Sequence, residues 1–341
     1  MFPLPMMASA DAGPAPSLRL GIAYQTNTPY LINYSIADTT FTKIADPAAV
    51  PPGTARSVAW SRDGRYEAFG HDTSPYILVY DWNSGSPVKI ADPGGGDLPA
   101  GVVSGVSWSD DLELCCAHSG GDNMTRYSLS TGSFVKLAAP ADPPSSAPQG
   151  CAYSDDGNYL ALAIASSPYV WAYSRSGSTL TKLANPAALP AGAGNGVAWS
   201  QEAAFLSVAH NNSPRVTNYS RSGSTLTKLS DPATLPAGNG LSVAFSPDDE
   251  WLAVGHGTTP FVTIYAFDGG APVKIANPAT LPAAACNGTA FSADSRFMTV
   301  GYAGTPFQST YDFDTGAPVK LANPSDLPGN TVLAVAFSPA E

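Results

Sequence analysis

One phrase recurs through this chain at an almost constant interval. It reads KIADPAAVPPG at 43–53, KIADPGGGDLPAG at 89–101, KLANPAALPAG at 182–192 and KLSDPATLPAG at 228–238. It returns as KIANPATLPAA at 274–284 and KLANPSDLPGN at 320–330, with a degraded copy, KLAAPADPPSS, at 136–146. Each copy opens on a lysine, and Lys43, Lys89, Lys136, Lys182, Lys228, Lys274 and Lys320 are all the lysines of the chain. They are separated by 46, 47, 46, 46, 46 and 46 residues. So steady a period means one supersecondary unit packed against copies of itself.

The unit reads clearly over 57–93, SVAWSRDGRYEAFGHDTSPYILVYDWNSGSPVKIADP. SVAWS is short, apolar and aromatic, and predicts a first strand, a. RDG is a turn, YEAFGH a second strand, b, DTSP a turn, YILVYD a third strand, c. NSGS turns again, with Gly85 free to take positive φ, and PVKIA predicts strand d. A loop of about ten residues, the recurring phrase, then leads to the next strand a. Four short strands per unit, without helical periodicity, predict antiparallel four-stranded sheets, and an array of these closes as a β-propeller. Strand a ends in an aromatic followed by serine seven times, at Trp60, Trp108, Tyr153, Trp199, Phe245, Phe291 and Phe337. Strand c carries Tyr34, Tyr80, Tyr127, Tyr173, Tyr219, Tyr265 and Tyr311. The pattern starts at a strand b, RLGIAY (19–24), and stops after a strand a, LAVAFS (333–338). The expectation is an all-β, seven-bladed propeller over 18–341, closed by the C-terminal strand completing the N-terminal blade. Repeats fall near 56–103, 104–149, 150–194, 195–240, 241–286 and 287–332, with a composite blade of 18–55 and 333–341.

The stretch VAFSPDDEWLAVGHGTTPFVTIY (243–265) resembles the body of a WD40 repeat. The likeness covers roughly 18–341 and implies the propeller fold. Where that family ends strand c in Trp-Asp, this chain has tyrosine followed by Asp, Ser or Ala. The family's Gly-His before strand a is replaced by sequences such as PAGNG. The family's polar network therefore does not carry over. Degenerate blades with Pro-rich connectors are also similar in style to propellers of bacteriophage virions.

Composition limits the functional classes. Charged residues make up 13% of the 341, about half the usual share, and the net charge is −11. That charge repels phosphate backbones, so nucleic acid is excluded as a partner. No apolar run approaches the ~20 residues that cross a bilayer, so no membrane insertion is expected. Residues 1–17 lack the basic start of a signal peptide. They contain Phe2, Leu4, Met6 and Met7, and read as either a disordered tail or an apolar docking arm. Cys115, Cys116, Cys151 and Cys286 show no metal spacing and read as free, largely buried thiols.

The candidate site residues come from the repeat. The lysines lie on the strand predicted to be the outer blade edge, where lysine discourages edge-to-edge association. The alternative is a cationic girdle for an acidic partner. The long loops share a face with the b–c turns, and loops on a rigid scaffold carry binding. This nominates Asp72, Asn185, Asn211, Arg215, Asp231, Asn277 and Asn323 as the binding face. His71, His118, His210 and His256 occupy one repeat position at the end of strand b. They are weak metal candidates beside the reading in which each hydrogen-bonds into its own b–c turn. The Asp-rich a–b turns, such as SRDG and SPDD, read as turn chemistry, with calcium as the lesser reading. A serine present in every blade is architecture rather than a nucleophile. No catalytic motif and no cofactor signature stands out. One-off departures such as Arg215, Arg126 and Glu113 are where a propeller enzyme would place its site.

These observations set the expectation of a non-enzymatic binding propeller. It would be a virion-associated decoration or tail protein made in a host cytoplasm, contacting other virion proteins, with host glycans as a candidate ligand. The rivals are a cytoplasmic protein-interaction scaffold and a propeller enzyme such as a lactonase or a glycan-cleaving enzyme.

Overall fold

The repeat folds as seven four-stranded antiparallel sheets, each in the order a-b-c-d. The structure, a computed structural model, describes residues 18–339; the arm residues Phe2, Leu4, Met6 and Met7 lie outside it. The composite blade takes strand a from Val332–Phe337, strand b from Leu18–Tyr24, strand c from Leu31–Ala37 and strand d from Thr40–Lys43. Its register pairs Leu20 with Phe337 and Ile22 with Val335, so the two ends of the described chain form one ladder. The other six blades begin their strand a at Ala55, Val103, Pro148, Gly194, Gly240 and Cys286. Every strand a lies beside the strand a of both neighbouring blades, which closes the ring and leaves a channel on its axis.

The core lies between blades, not within them. Each of the seven apolar clusters joins residues of two consecutive blades. The aromatic ending each strand a is buried there, and Trp108 stacks on Tyr66 of the preceding blade with ring centroids 5.9 Å apart. Burial of such rings supplies most of the apolar contact area between sheets. The serine that follows closes the a–b turn. Ser61 Oγ donates to Asp63 and accepts the Tyr66 N–H, and the same pair of bonds recurs at Ser154 with Asp156 and Tyr159.

The tyrosines and the phrase turn out to be two halves of one device. Each strand-c tyrosine donates its hydroxyl to a backbone carbonyl in the loop that enters its own blade. Tyr80 reaches Ala49, Tyr173 reaches Asp142, Tyr219 reaches Ala188, Tyr265 reaches Thr234 and Tyr311 reaches Thr280, at 2.7–3.0 Å. Tyr127 reaches Asp97, and Tyr34 reaches Asp326 across the closing seam. The long loops are therefore fastened to the blades rather than free.

The lysines stand on the outer edge. Strand d is shorter than the sequence predicts, only Val88–Lys89 in the second blade and Thr179–Lys182 in the fourth, because past the lysine the phrase turns away from the sheet. The ammonium groups are caught by the Asx residue three positions on. Lys43 meets Asp46 at 3.0 Å, Lys89 meets Asp92 at 2.8 Å and Lys228 meets Asp231 at 2.7 Å. Lys182 and Lys320 donate to Asn185 and Asn323 at 2.9 and 2.6 Å. The edge charge is thus largely answered within the phrase itself.

Removing one buried hydroxyl bond costs about 1 kcal/mol when a carbonyl is left unpaired. Tyr34→Phe and Tyr219→Phe are therefore expected to lower the thermal midpoint by similar amounts, measured by circular dichroism, since the seam uses the same bond as an interior blade. A far larger loss for Tyr34→Phe would mean that closure rests on this tyrosine more than on the ladder.

Candidate functional site at the channel mouth

The second residue of every strand a is skipped by the ladder to strand b. In the second blade Ala55 pairs with His71 and Ser57 with Gly70, leaving Arg56 unpaired. The same bulge recurs in all seven blades. A bulge turns its extra residue off the sheet, and here it aims the side chain into the channel. The residue after it must be small, because neighbouring a strands approach closely. A Cβ on Gly105 would lie 2.9 Å from the Cys151 nitrogen, and one on Gly288 2.9 Å from Ala334 Cα.

The bulged positions form a ring of Arg56, Ser104, Gln149, Asn195, Leu241, Asn287 and Leu333 around a cavity of about 360 Å³. Three of them fasten to the next blade through their donors. Ser104 Oγ donates to the Pro148 carbonyl at 2.6 Å, Asn195 Nδ2 to that of Gly240 at 2.6 Å and Asn287 Nδ2 to that of Val332 at 3.0 Å. With the donors so held, Oδ1 of each amide is left as an acceptor at the channel. Arg56 is the one charged residue lining this cavity among the described residues. Its guanidinium stands 3.8 Å from Asp72, on the b–c turn above it. The ring therefore carries one charged side chain, Arg56, among four neutral polar residues and two leucines, in a protein of net charge −11. At the opposite mouth Arg62 of the second blade pairs with Asp155 of the fourth, and Gln201 Nε2 donates to the same carboxylate at 2.5 Å. That contact lines a second cavity of about 400 Å³ at the far opening, while Arg56 has its carboxylate partner on the b–c turn of the loop side.

The seven residues nominated for the binding face separate into three groups. Asp72 and Asn211 lie outside the cavity lining but touch two channel residues, Arg56 and Asn195 respectively. Arg215, half-buried at φ 72°, donates to the Pro236 carbonyl at 2.7 Å and holds a loop. Asn185, Asp231 and Asn323 answer lysines at the outer edge, and Asn277 is exposed at the same place in its blade.

The histidines are buried and apart from one another. Nε2 of His118, His210 and His256 lies 2.8–2.9 Å from the hydroxyl of Thr125, Thr217 and Thr263. Leu78 holds that place opposite His71. Burial lowers all four imidazoles, those of His71 and His256 to about 4, so they are neutral near pH 7. Among the described residues no three metal-ligating side chains come together.

Two carboxylates are buried but face away from the channel. Glu113 meets Arg126 at 2.6 Å and Arg175 at 3.1 Å, and accepts the Tyr153 hydroxyl, at the seam of the third and fourth blades. Glu67 takes a place that is leucine or methionine in the other blades, accepting from Asn33 Nδ2 at 3.0 Å and Trp82 Nε1 at 3.2 Å. Burial pushes the Glu67 carboxyl up to about 8. Neither residue lines the channel cavity. Arg126 and Glu113, candidates as one-off departures from the repeat, are thus an internal ion pair.

No protein-family model matches the sequence and no curated protein matches it, so the WD40 resemblance stops at the shape of the blade. Solved structures share the fold along almost their whole length. A candidate 6-phosphogluconolactonase of Bacteroides uniformis superposes with a TM-score of 0.73 at 14% identity, covering 94% of this chain and 99% of its own. A second, of Bacteroides fragilis, gives 0.74 at 12% identity with 94% and 98% covered. The periplasmic gluconolactonase of Pseudomonas aeruginosa gives 0.71 at 17% identity, with 95% and 100% covered. At these identities the likeness establishes the seven-bladed fold. It also overturns the expectation of a non-enzymatic virion or phage-tail protein, since these three proteins, matched over nearly their whole length, are named as lactonases. The physical reason for the error is that repeat regularity reports the scaffold, whereas chemistry resides in side chains that differ between blades.

Arg56 escaped the sequence reading because it stands in no motif. The signal was available in the aligned repeats: the second position of strand a varies as Arg, Ser, Gln, Asn, Leu, Asn and Leu between regular neighbours.

Two opposing pH effects follow. Glu67 binds its proton more tightly folded than unfolded, so its contribution is complete below about 4.5 and is lost as pH rises toward 8. The histidines hold protons less tightly folded, so their contribution is present above 6.5 and is lost as pH falls toward 4. Denaturant unfolding across this range is expected to show greatest stability at mildly acidic pH. Glu67→Gln is expected to flatten the alkaline limb by a few kcal/mol and to steepen the rise between about 4.5 and 6.5, leaving the pH dependence below 4.5 unchanged.

Proposed function

We propose that this propeller is a hydrolase of sugar lactones, with its site at the loop-side mouth of the channel. The observation that carries the reading is Arg56, the single charged member of the channel ring, paired with Asp72 on the turn beside it. Lactone hydrolysis needs a water to attack the ring carbonyl carbon and a positive group to receive the charge that develops on its oxygen. Arg56 supplies fixed donors for that oxyanion or for an acidic substituent of the sugar. Asp72, beside it, supplies a carboxylate able to take a proton from the attacking water. The acceptors Asn195 Oδ1 and Asn287 Oδ1, with Gln149 and Ser104, suit the hydroxyls of a sugar ring. The names of the structural neighbours support this substrate class.

The test is the initial rate of acid release from glucono-1,5-lactone and its 6-phosphate, with buffer hydrolysis subtracted. The expected outcome is enzyme-dependent hydrolysis that Arg56→Ala lowers by about 10²-fold or more. Asp72→Asn is expected to lower kcat by at least ~10² with less effect on KM, while Arg215→Ala leaves kcat close to wild type. Rates equal to buffer for both lactones overturn the reading, as does hydrolysis that survives Arg56→Ala unchanged.

A further inference from the structure

The seam between the third and fourth blades brings two thiols together, and lactone chemistry uses neither. Cys115 lies in strand b of the third blade and Cys151 in strand a of the fourth. Cys151 Sγ is 3.9 Å from the Cys115 carbonyl oxygen, which sets the two residues against each other across the seam. Both pack in the apolar cluster of this seam. At the equivalent place the preceding seam sets Ala68 against Val106, and the following one Ala161 against Val197. Elsewhere in the ring the strand-a partner is valine or threonine, so this seam alone replaces an aliphatic contact with thiol on thiol.

The two sulfurs differ in access. Cys115 is fully buried. Cys151 is half-buried and lines the channel cavity, the one cysteine of the described residues to do so. The neighbouring Cys151 thiol and burial hold Cys115 well above the usual thiol range, so it does not react first. Cys116, next in sequence, faces the opposite seam, in the cluster of the second and third blades. Cys286 is buried in a different interface.

We propose that Cys115 and Cys151 form a peroxide-responsive pair that closes to a disulfide linking the third and fourth blades at the channel wall. A peroxide entering the channel meets the Cys151 sulfur. An S–O bond forms as the O–O bond breaks, and the thiol proton leaves with the departing oxygen as water, giving a sulfenic acid. The Cys115 sulfur then attacks the Cys151 sulfur. The S–S bond forms, the S–O bond breaks, and the Cys115 proton leaves with the hydroxide as a second water. In total two thiols and one hydrogen peroxide become one disulfide and two waters. The bridge joins residues 36 apart in sequence, so it also restricts the unfolded chain.

The test treats the full chain with hydrogen peroxide and maps thiols by peptide mass spectrometry without reduction. The expected result is a Cys115–Cys151 linked peptide, reversed by dithiothreitol, with Cys116 and Cys286 still reduced and a raised thermal midpoint. Cys151→Val, which restores the residue common at that place, is expected to abolish the link and keep the fold. In Cys115→Ala, dimedone is expected to capture a sulfenic acid at Cys151. A linked peptide containing Cys116 or Cys286, oxidation of Cys151 to sulfinic acid without a link, or four unreacted thiols overturns the proposal.

Discussion

The ladder between Val332–Phe337 and Leu18–Tyr24 is the contact on which the ring depends. Six blades are each built from consecutive strands and need only short-range pairing. The composite blade joins segments more than three hundred residues apart in the chain, and without it the second and seventh blades each expose an apolar seam. Strand register is what makes this joint specific. A slip of one residue would turn Val335 and Phe337 away from the cluster they share with Ile22, Phe41 and Phe297. Tyr34 then fastens the entering loop to this blade by the same hydroxyl-to-carbonyl bond found in the other six.

Closing the ring has a second consequence. Seven a strands must meet around one axis, and their third residues are restricted to Gly, Ser or Ala by the approach of neighbouring backbones. The bulge one residue earlier sends the larger side chains into the remaining space. The rigid scaffold thus presents seven side chains to one cavity, of which Ser104, Asn195 and Asn287 also tie neighbouring blades together. Arg56 occupies one of these positions, and its partner Asp72 comes from the turn that the fold places directly above. Fold and chemistry are separated in this way at adjacent residues of the same strand.

Buried polarity is handled differently at different seams. Glu113, Arg126, Arg175 and Tyr153 satisfy one another in a network joining two blades, and such a network tolerates burial because each charge keeps a partner. Glu67 is fully buried and accepts from the neutral donors of Asn33 and Trp82, and burial outweighs them and the nearby Arg19 charge, so it holds its proton. Both depart from the repeat, and both are internal. A departure from consensus therefore does not mark a functional residue until its environment is known, as Arg215 also shows by spending its guanidinium on a loop carbonyl.

The sequence by itself determined the blade: its four strands, its turns, its sevenfold count and its composite closure are all legible in spacing, because local strand and turn chemistry repeats with the chain. The outer-edge position of the lysines followed from the same periodicity. The pairing of each strand-c tyrosine with the recurring phrase was not legible, since the two lie about thirty residues apart and meet only when the loop folds over the blade. The channel site was less legible still. Its residues come from seven repeats, they share no motif, and a bulge that spacing does not reveal turns them inward. Only closure of the ring decided which residues face one another across the axis, because proximity there is set by the packing of whole blades and not by distance along the chain.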